Sequence, residues 1–228
     1  SPEATAARHD PFAALRFRDF RLLIGGTFLT VVGEQMLNVA LGWELYERTS
    51  SPLVLGLVGL VQVLPVISLS LVAGHAADRF DRKRIAVLTM MAVALGALGL
   101  ALLSYLSGPL VLIFGCLLII GVARAFQSPA LSSLIAQVVP SEHFSNAATW
   151  ESSTWQASSI LGPALGGLLI ALQHSATGVY ALDAVVLLVV ALMFGLLRPR
   201  PVPPSDEKLS TESLLAGARF IWKTKIIL

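Results

Sequence analysis

Six apolar runs, each about as long as the roughly 20 residues a bilayer-spanning helix needs, occupy residues 20–46, 53–77, 85–106, 110–136, 147–172 and 177–197. Lipid satisfies no backbone donor or acceptor, so a spanning segment must be a helix or part of a closed barrel. The alternating pattern of barrel strands is absent. The sequence therefore predicts an all-α membrane protein, a six-transmembrane-helix bundle. The connections, among them "ERTSSP", "LSGP", "PSEHFSN" and "QHSAT", are short enough to make consecutive helices antiparallel. Charged residues make up 13% of the chain, about half the share usual in soluble domains. Mean hydropathy is +0.77. The expected organisation is a polar tail at 1–19, the bundle at 20–197, and a Pro-rich charged linker at 198–228 whose final "IIL" reads as the approach to a seventh span.

Basic residues set the expected orientation. Fourteen of the sixteen flank the odd-numbered helix starts and even-numbered helix ends: Arg8 to Arg21, Arg79 to Arg84, and Arg198 onward. Arg48 lies on the opposite side and Arg124 lies within the fourth run. The first side is expected to be cytoplasmic, with both chain ends inside, in a plasma (inner) membrane of bacterial type. The tail lacks the pattern of a cleavable signal peptide. A net charge of +2 gives no reason to expect a nucleic-acid partner. The single cysteine, Cys116, sits in an apolar run and cannot form an internal disulfide.

Charge is densest between the second and third runs, in "GHAADRFDRKRI". The order Gly74-x-x-x-Asp78-Arg79-x-x-Arg82-Lys83 resembles the signature loop of the major facilitator superfamily, in the form found in its siderophore and drug exporter branch. Asp81 departs from that pattern, which has glycine there. Gly74 is expected to permit close packing at a helix end. A second stretch, "SSILGPALGGLL", holds Gly162, Pro163, Gly166 and Gly167 and is similar to the antiporter motif of the same superfamily. Pro163 removes a backbone donor and favours a kink, while the glycines let helices approach. A third, Arg124-x-x-Gln127, resembles the fourth-span arginine motif of drug antiporters, with Ser128 and Ala130 where that motif has glycine.

A charge in mid-membrane costs about 2.5–3.5 kcal/mol on insertion scales and marks a functional site by default. Arg124 is therefore expected to face a polar cavity and hold a partner. Glu34 lies near the middle of the first run, and Glu34 and Asn38 share a helical face by their spacing. Gln35, Gln62, Gln127, Trp155 and Gln156 complete the expected substrate and proton cavity. Glu44 and Asp183 read as groups at the outer water interface, and Trp150 as an interfacial aromatic at the cytoplasmic end.

The superfamily resemblance implies that these spans are half of a twelve-helix fold, with a second, C-terminal six-helix half completing a central cavity. It implies proton-driven efflux of small amphipathic molecules such as drugs or siderophores, with membrane lipids as surroundings. Cofactors and metals are not expected: His9, His75, His143 and His174 are scattered and no ligand spacing occurs. The residues lack a Gly-x-Ser-x-Gly element or a phosphate-binding glycine loop, so neither hydrolytic nor ATP chemistry is supported. The alternative class is a six-span scaffold that binds lipid or a partner without transport.

Overall fold

The computed structural model describes residues 10–199. Six long helices follow one another: α1 (Arg18–Thr49), α2 (Pro52–Arg79), α3 (Arg82–Tyr105), α4 (Leu110–Val138), α5 (Phe144–Gln173) and α6 (Thr177–Gly195). Short 3-10 turns at Ala14–Arg16 and Ser141–His143 precede α1 and α5, and no strand occurs among the described residues. Each apolar run is thus one helix, and all six are long and apolar enough to cross a membrane. The linker after residue 199 and the approach to a seventh span lie outside the described residues, as do the first nine residues of the tail.

Helix ends follow local chemistry. Pro52 starts α2 where a missing N–H costs nothing. Asp81 caps α3, its side chain accepting from the backbone N–H of Lys83 at 2.9 Å and of Arg84 at 3.3 Å. α1 and α5 end on Ser50 and His174, both in the left-handed region with φ of 49°. Near the start of the chain, Asn146 on α5 accepts from the N–H of Ala14 and donates to the carbonyl of Pro11, at 2.9 and 2.7 Å. Trp150 donates to the same carbonyl at 3.0 Å and its ring lies against Phe12. The end of the tail is therefore strapped across the first turns of α5.

The principal packing partners run α5–α1–α6–α3–α4–α2, an open arc. Exchanging α1, α2 and α3 for α4, α5 and α6 leaves that pattern unchanged, the mark of an internal three-helix repeat. Helices in lipid gain little from apolar burial against one another, so close contact depends on small residues. Ala94 and Ala97 of α3 are buried. At Gly96, an added Cβ would meet the Ile120 side chain of α4 at 2.6 Å. Large apolar residues such as Leu95, Val111 and Leu192 point outward, where acyl chains replace water. The two end helices of the arc, α2 and α5, are the least buried of the six.

Candidate functional site

Between the two ends of the arc lies a cavity of about 410 Å³. Its lining comes from α1 between Phe20 and Glu34, from Gln62 to Val66 on α2, from Arg124 to Ile135 on α4, and from Glu151 on α5. The cavity reaches from mid-helix toward the side that carries the start of α1. Its inner end is polar. Arg124 Nη1 stands 2.9 Å from Glu34 Oε1 and donates to Gln62 Oε1 at 3.2 Å. The arginine is mostly buried, with 15% of its side chain exposed, while Glu34 at 38% faces the open cavity. α1, α2 and α4 thus converge on one charge-assisted cluster, the strong kind of hydrogen bond. Nearby, the Thr30 hydroxyl and Gln127 Nε2 are buried without a hydrogen-bond partner among the described residues, and both residues line the cavity.

Of the eight residues expected there, Glu34, Gln62, Arg124 and Gln127 line this cavity. The other four lie outside it. Gln35 points to α5, donating to the Ser159 hydroxyl at 3.3 Å. Asn38, Trp155 and Gln156 stand on exposed faces of α1 and α5. Sequence spacing places Glu34 and Asn38 on one face, but the cavity ends at the level of Glu34, one turn short of Asn38.

Glycines of the α5 motif divide sharply. A Cβ at Gly162 would run into the Gln35 side chain and come within 2.9 Å of the Val32 carbonyl; one at Gly166 would lie 3.0 Å from the Met36 Cα. At Gly167 a Cβ meets nothing within 4 Å. α5 continues as helix through Pro163, and Ser158 and Ser159 on the preceding turn bond α1, at the Phe28 carbonyl and at Gln35, 3.3 Å each. α4 meets α2 in a matching way, with Gly121 against the carbonyl of Gln62 and the ring of Pro65.

The charged turn between α2 and α3 is built from helix caps. Arg82 Nε donates to the Ala77 carbonyl at the end of α2, 3.0 Å, and lies 3.7 Å from Asp78. Lys83 Nζ donates to the Leu197 carbonyl beyond α6, 2.8 Å. Cations belong at helix C-termini, so the order of basic residues here follows from which ends they reach. Asp78, Arg79 and Phe80 are exposed. Among the described residues Gly74 makes no close approach: a Cβ there would meet nothing within 4 Å, because α2 touches little besides α4.

Two acidic residues expected at the outer water interface are buried instead. Glu44 is 6% exposed and pairs with Arg48 at 2.5 Å. Arg48 also donates to the carbonyls of Gly108, Leu103 and Ser104, so it closes the end of α3 as Lys83 closes α6. Asp183 is 2% exposed. It packs against Gly33 of α1, where any Cβ would overlap its carboxylate, and neither of its oxygens has a partner among the described residues. The glycine beside Glu34 is the one sequence signal for this neighbour, and it is visible only once α6 is known to lie on α1.

Comparison with known proteins agrees with this architecture. Residues 23–228 match the family model described as Major Facilitator Superfamily. The chain is 29% identical over 213 residues to "Enterobactin exporter EntS" of Shigella boydii, covering 91% of this chain and 50% of that protein. It is 25% identical over 180 residues to "Macrolide efflux protein A" of Streptococcus pyogenes, covering 78% and 44%. Among solved structures, the POT family transporter PepTSo superposes with a TM-score of 0.68 at 17% identity, over 84% of this chain and 40% of that one. The chain spans about half the length of these relatives. Six apolar helices in a transporter arrangement, and a family match across nearly all of the sequence, show that this membrane protein belongs to the Major Facilitator Superfamily.

Proposed function

We propose that this chain is the N-terminal six-helix bundle of a proton-coupled efflux transporter for small amphipathic molecules. The observation that carries the reading is the Glu34–Arg124–Gln62 cluster at the inner end of the cavity. A mostly buried arginine held by one carboxylate stabilises a bundle poorly against an apolar replacement, and in a membrane such charges mark ion and substrate paths. Glu34 faces the open cavity, where a proton or a cationic substrate competes with Arg124 for its carboxylate. Protonated, Glu34 releases the arginine; ionised, it recovers it. That exchange couples proton entry to a change of charge on the cavity wall.

The remaining parts fit the same reading. The faces of α2 and α5 left open by the arc, with Trp155 and Gln156 on α5, are where a second six-helix bundle closes the cavity. Gly162, Pro163 and Gly166 hold α5 tightly to α1, so that α5 moves with its bundle when the two halves rock. Gly74, Asp78, Arg79, Arg82 and Lys83 form the turn that meets the second bundle, and Asp78 supplies an exposed carboxylate. The distribution of basic residues favours an orientation with both ends of the chain cytoplasmic and the cavity open inward, and the bacterial relatives favour a bacterial inner membrane. Two relatives are an exporter and an efflux protein by name, which favours outward transport of molecules in the siderophore or macrolide class.

The test uses the full-length transporter in proteoliposomes with an imposed pH gradient, with a macrolide and a catecholate siderophore as the two probes. Gradient-driven transport of at least one is expected in wild type and lost in Glu34→Gln, with insertion and detergent stability retained. Transport by Glu34→Gln at the wild-type rate and with wild-type pH dependence overturns the proposed role.

A further inference from the structure

The cavity wall carries a second carboxylate that the ion-pair cluster does not use. Glu151 is the one residue that α5 gives to the lining. It is exposed and has no ion-pair partner among the described residues. Arg124, the one cation in the lining, is already held by Glu34. Two arginines near the start of α1 are engaged elsewhere: Arg16 pairs with Asp10 at 2.6 Å, and Arg21 donates to the Leu15 carbonyl at 3.2 Å. One turn along α5 from Glu151, Trp155 stands on the same face by its i,i+4 spacing and is 60% exposed.

The depth of these groups follows from how α5 lies on α1. The two helices run parallel in one constant register: Ser158 against Phe28, Gly162 against Val32 and Gly166 against Met36. The same offset of 130 residues puts Glu151 level with Arg21 and Trp155 level with Gly25. From the level of Arg21 to that of Glu34 is about 20 Å along the helix axis, at 1.5 Å per residue. The cavity therefore has a carboxylate near each end. Glu151 stands near the open mouth with Trp155 a turn further in, and the paired Glu34 stands at the inner end. The walls between them are largely apolar, with Leu23, Ile24, Val63, Val66 and Leu131 among them.

A carboxylate within one helical turn of an exposed indole suits an organic cation. The carboxylate attracts the charge, and the face of the indole attracts it through the ring quadrupole while covering its apolar substituents. An organic anion at the same place meets repulsion from Glu151. We infer that Glu151 and Trp155 form an entry site for the substrate and that this site takes the ammonium group of an amphipathic molecule, whose apolar body lies on the leucine and valine walls. This rests on the reading of the chain as half of an efflux transporter and narrows it. Of the two classes named above, an amine-bearing macrolide fits the site and an acidic catecholate does not. A cation that leaves Glu151 for the inner end next meets Glu34, where it competes with Arg124 for the carboxylate.

The test uses the full-length protein in detergent and two probes of one shape and opposite charge, tetraphenylphosphonium and tetraphenylborate. Equilibrium binding is followed by titration calorimetry with empty micelles subtracted. Tetraphenylphosphonium is expected to bind about tenfold more tightly than tetraphenylborate, and Glu151→Gln to remove most of that difference by weakening the phosphonium alone. Trp155→Leu is expected to weaken the phosphonium about threefold, and Trp155→Phe to retain most of the affinity because a ring face remains. Glu151 and Trp155 are exposed, so the variants are expected to unfold at the wild-type temperature, which separates loss of the site from loss of the fold. Equal affinity for the two probes in wild type, no binding of the phosphonium, or an unchanged affinity in Glu151→Gln overturns the site. Should Glu151→Gln fail to fold, the wild-type probe pair and the two Trp155 variants decide. Binding is read without a gradient, so wild-type vesicles indifferent to pH overturn proton coupling alone, whereas the probe pair tests the entry site alone.

Discussion

Lys83 and Leu197 are joined by a hydrogen bond of 2.8 Å between the lysine ammonium and the backbone carbonyl. It ties the α2–α3 turn to the end of α6, elements more than a hundred residues apart in sequence. A hydrogen bond to a charged donor contributes about 1.5–3 kcal/mol, and partial exposure places this one at the low end. Lys83→Met is expected to lower the unfolding temperature of the purified protein by several degrees, whereas Arg79→Met, on an exposed residue of the same turn, leaves it unchanged. Equal effects of the two would mean that only the charge of the turn matters.

Arg48 and Glu44 test burial at the opposite end of the bundle. Removing one member of a buried ion pair leaves the other uncompensated, at a cost of about 3–5 kcal/mol. Arg48→Met also strips a donor from the carbonyls of Leu103, Ser104 and Gly108. It is expected to be strongly destabilising, and Arg48→Met with Glu44→Gln less so than Arg48→Met alone. Thermal unfolding of the two single variants and the double variant measures this coupling.

The α5 glycines offer a comparison between adjacent residues. Overpacking costs about 1–3 kcal/mol when neighbours cannot give way, and the neighbours of Gly166 are backbone atoms of Met36. Gly166→Ala is expected to destabilise the bundle by that amount and Gly167→Ala to leave it unchanged. Comparable losses in both would show that α5 does not sit this closely on α1.

Asp78 has only Arg82 nearby among the described residues, at 3.7 Å and with the carboxylate mostly exposed. Exposed pairs contribute about 0–1 kcal/mol, so Asp78→Asn should hardly change stability. Its effect is expected in the full-length transporter, as a shift away from the outward-open state and reduced transport. Spin-label distances between the two halves, wild type against variant, provide the measurement. Identical distributions with normal transport would reduce the residue to part of a charged turn.

Much of this molecule can be read from its residues in order. Hydropathy finds the six helices, because each must be apolar for about 20 residues to cross lipid. The expense of burying Arg124 leads to Glu34, since so few partners exist within the spans. Rotation about each helix axis is harder to read. α4 and α6 are apolar on nearly every side, and lipid and protein neighbours ask for the same side chains. On α1 and α5 the difficulty is the opposite: polar residues such as Gln35, Asn38 and Gln156 fall on several faces, so none of them alone marks the side that meets the cavity. The same ambiguity hides Asp183: a single carboxylate six residues into α6 looks like an end group until Gly33 is seen beside it. Asp81, which breaks the family pattern, has a local explanation in the cap it forms on α3.

The order of packing around the arc has a consequence for biogenesis. α1 finds its main partners in α5 and α6, α2 in α4, and α3 in α6 and α4. Of these principal contacts, only α3–α4 joins helices that are consecutive in the chain. During synthesis α1 and α2 must therefore enter the bilayer and remain there with lipid alone around most of their surface until helices made later arrive. The more apolar α2 is better suited to that interval than α1. α1 carries Glu34, Glu44 and Arg48 into the membrane well before Arg124 exists to neutralise the first of them. Between the translation of residue 34 and that of residue 124, α1 holds a carboxylate whose partner has not yet been made.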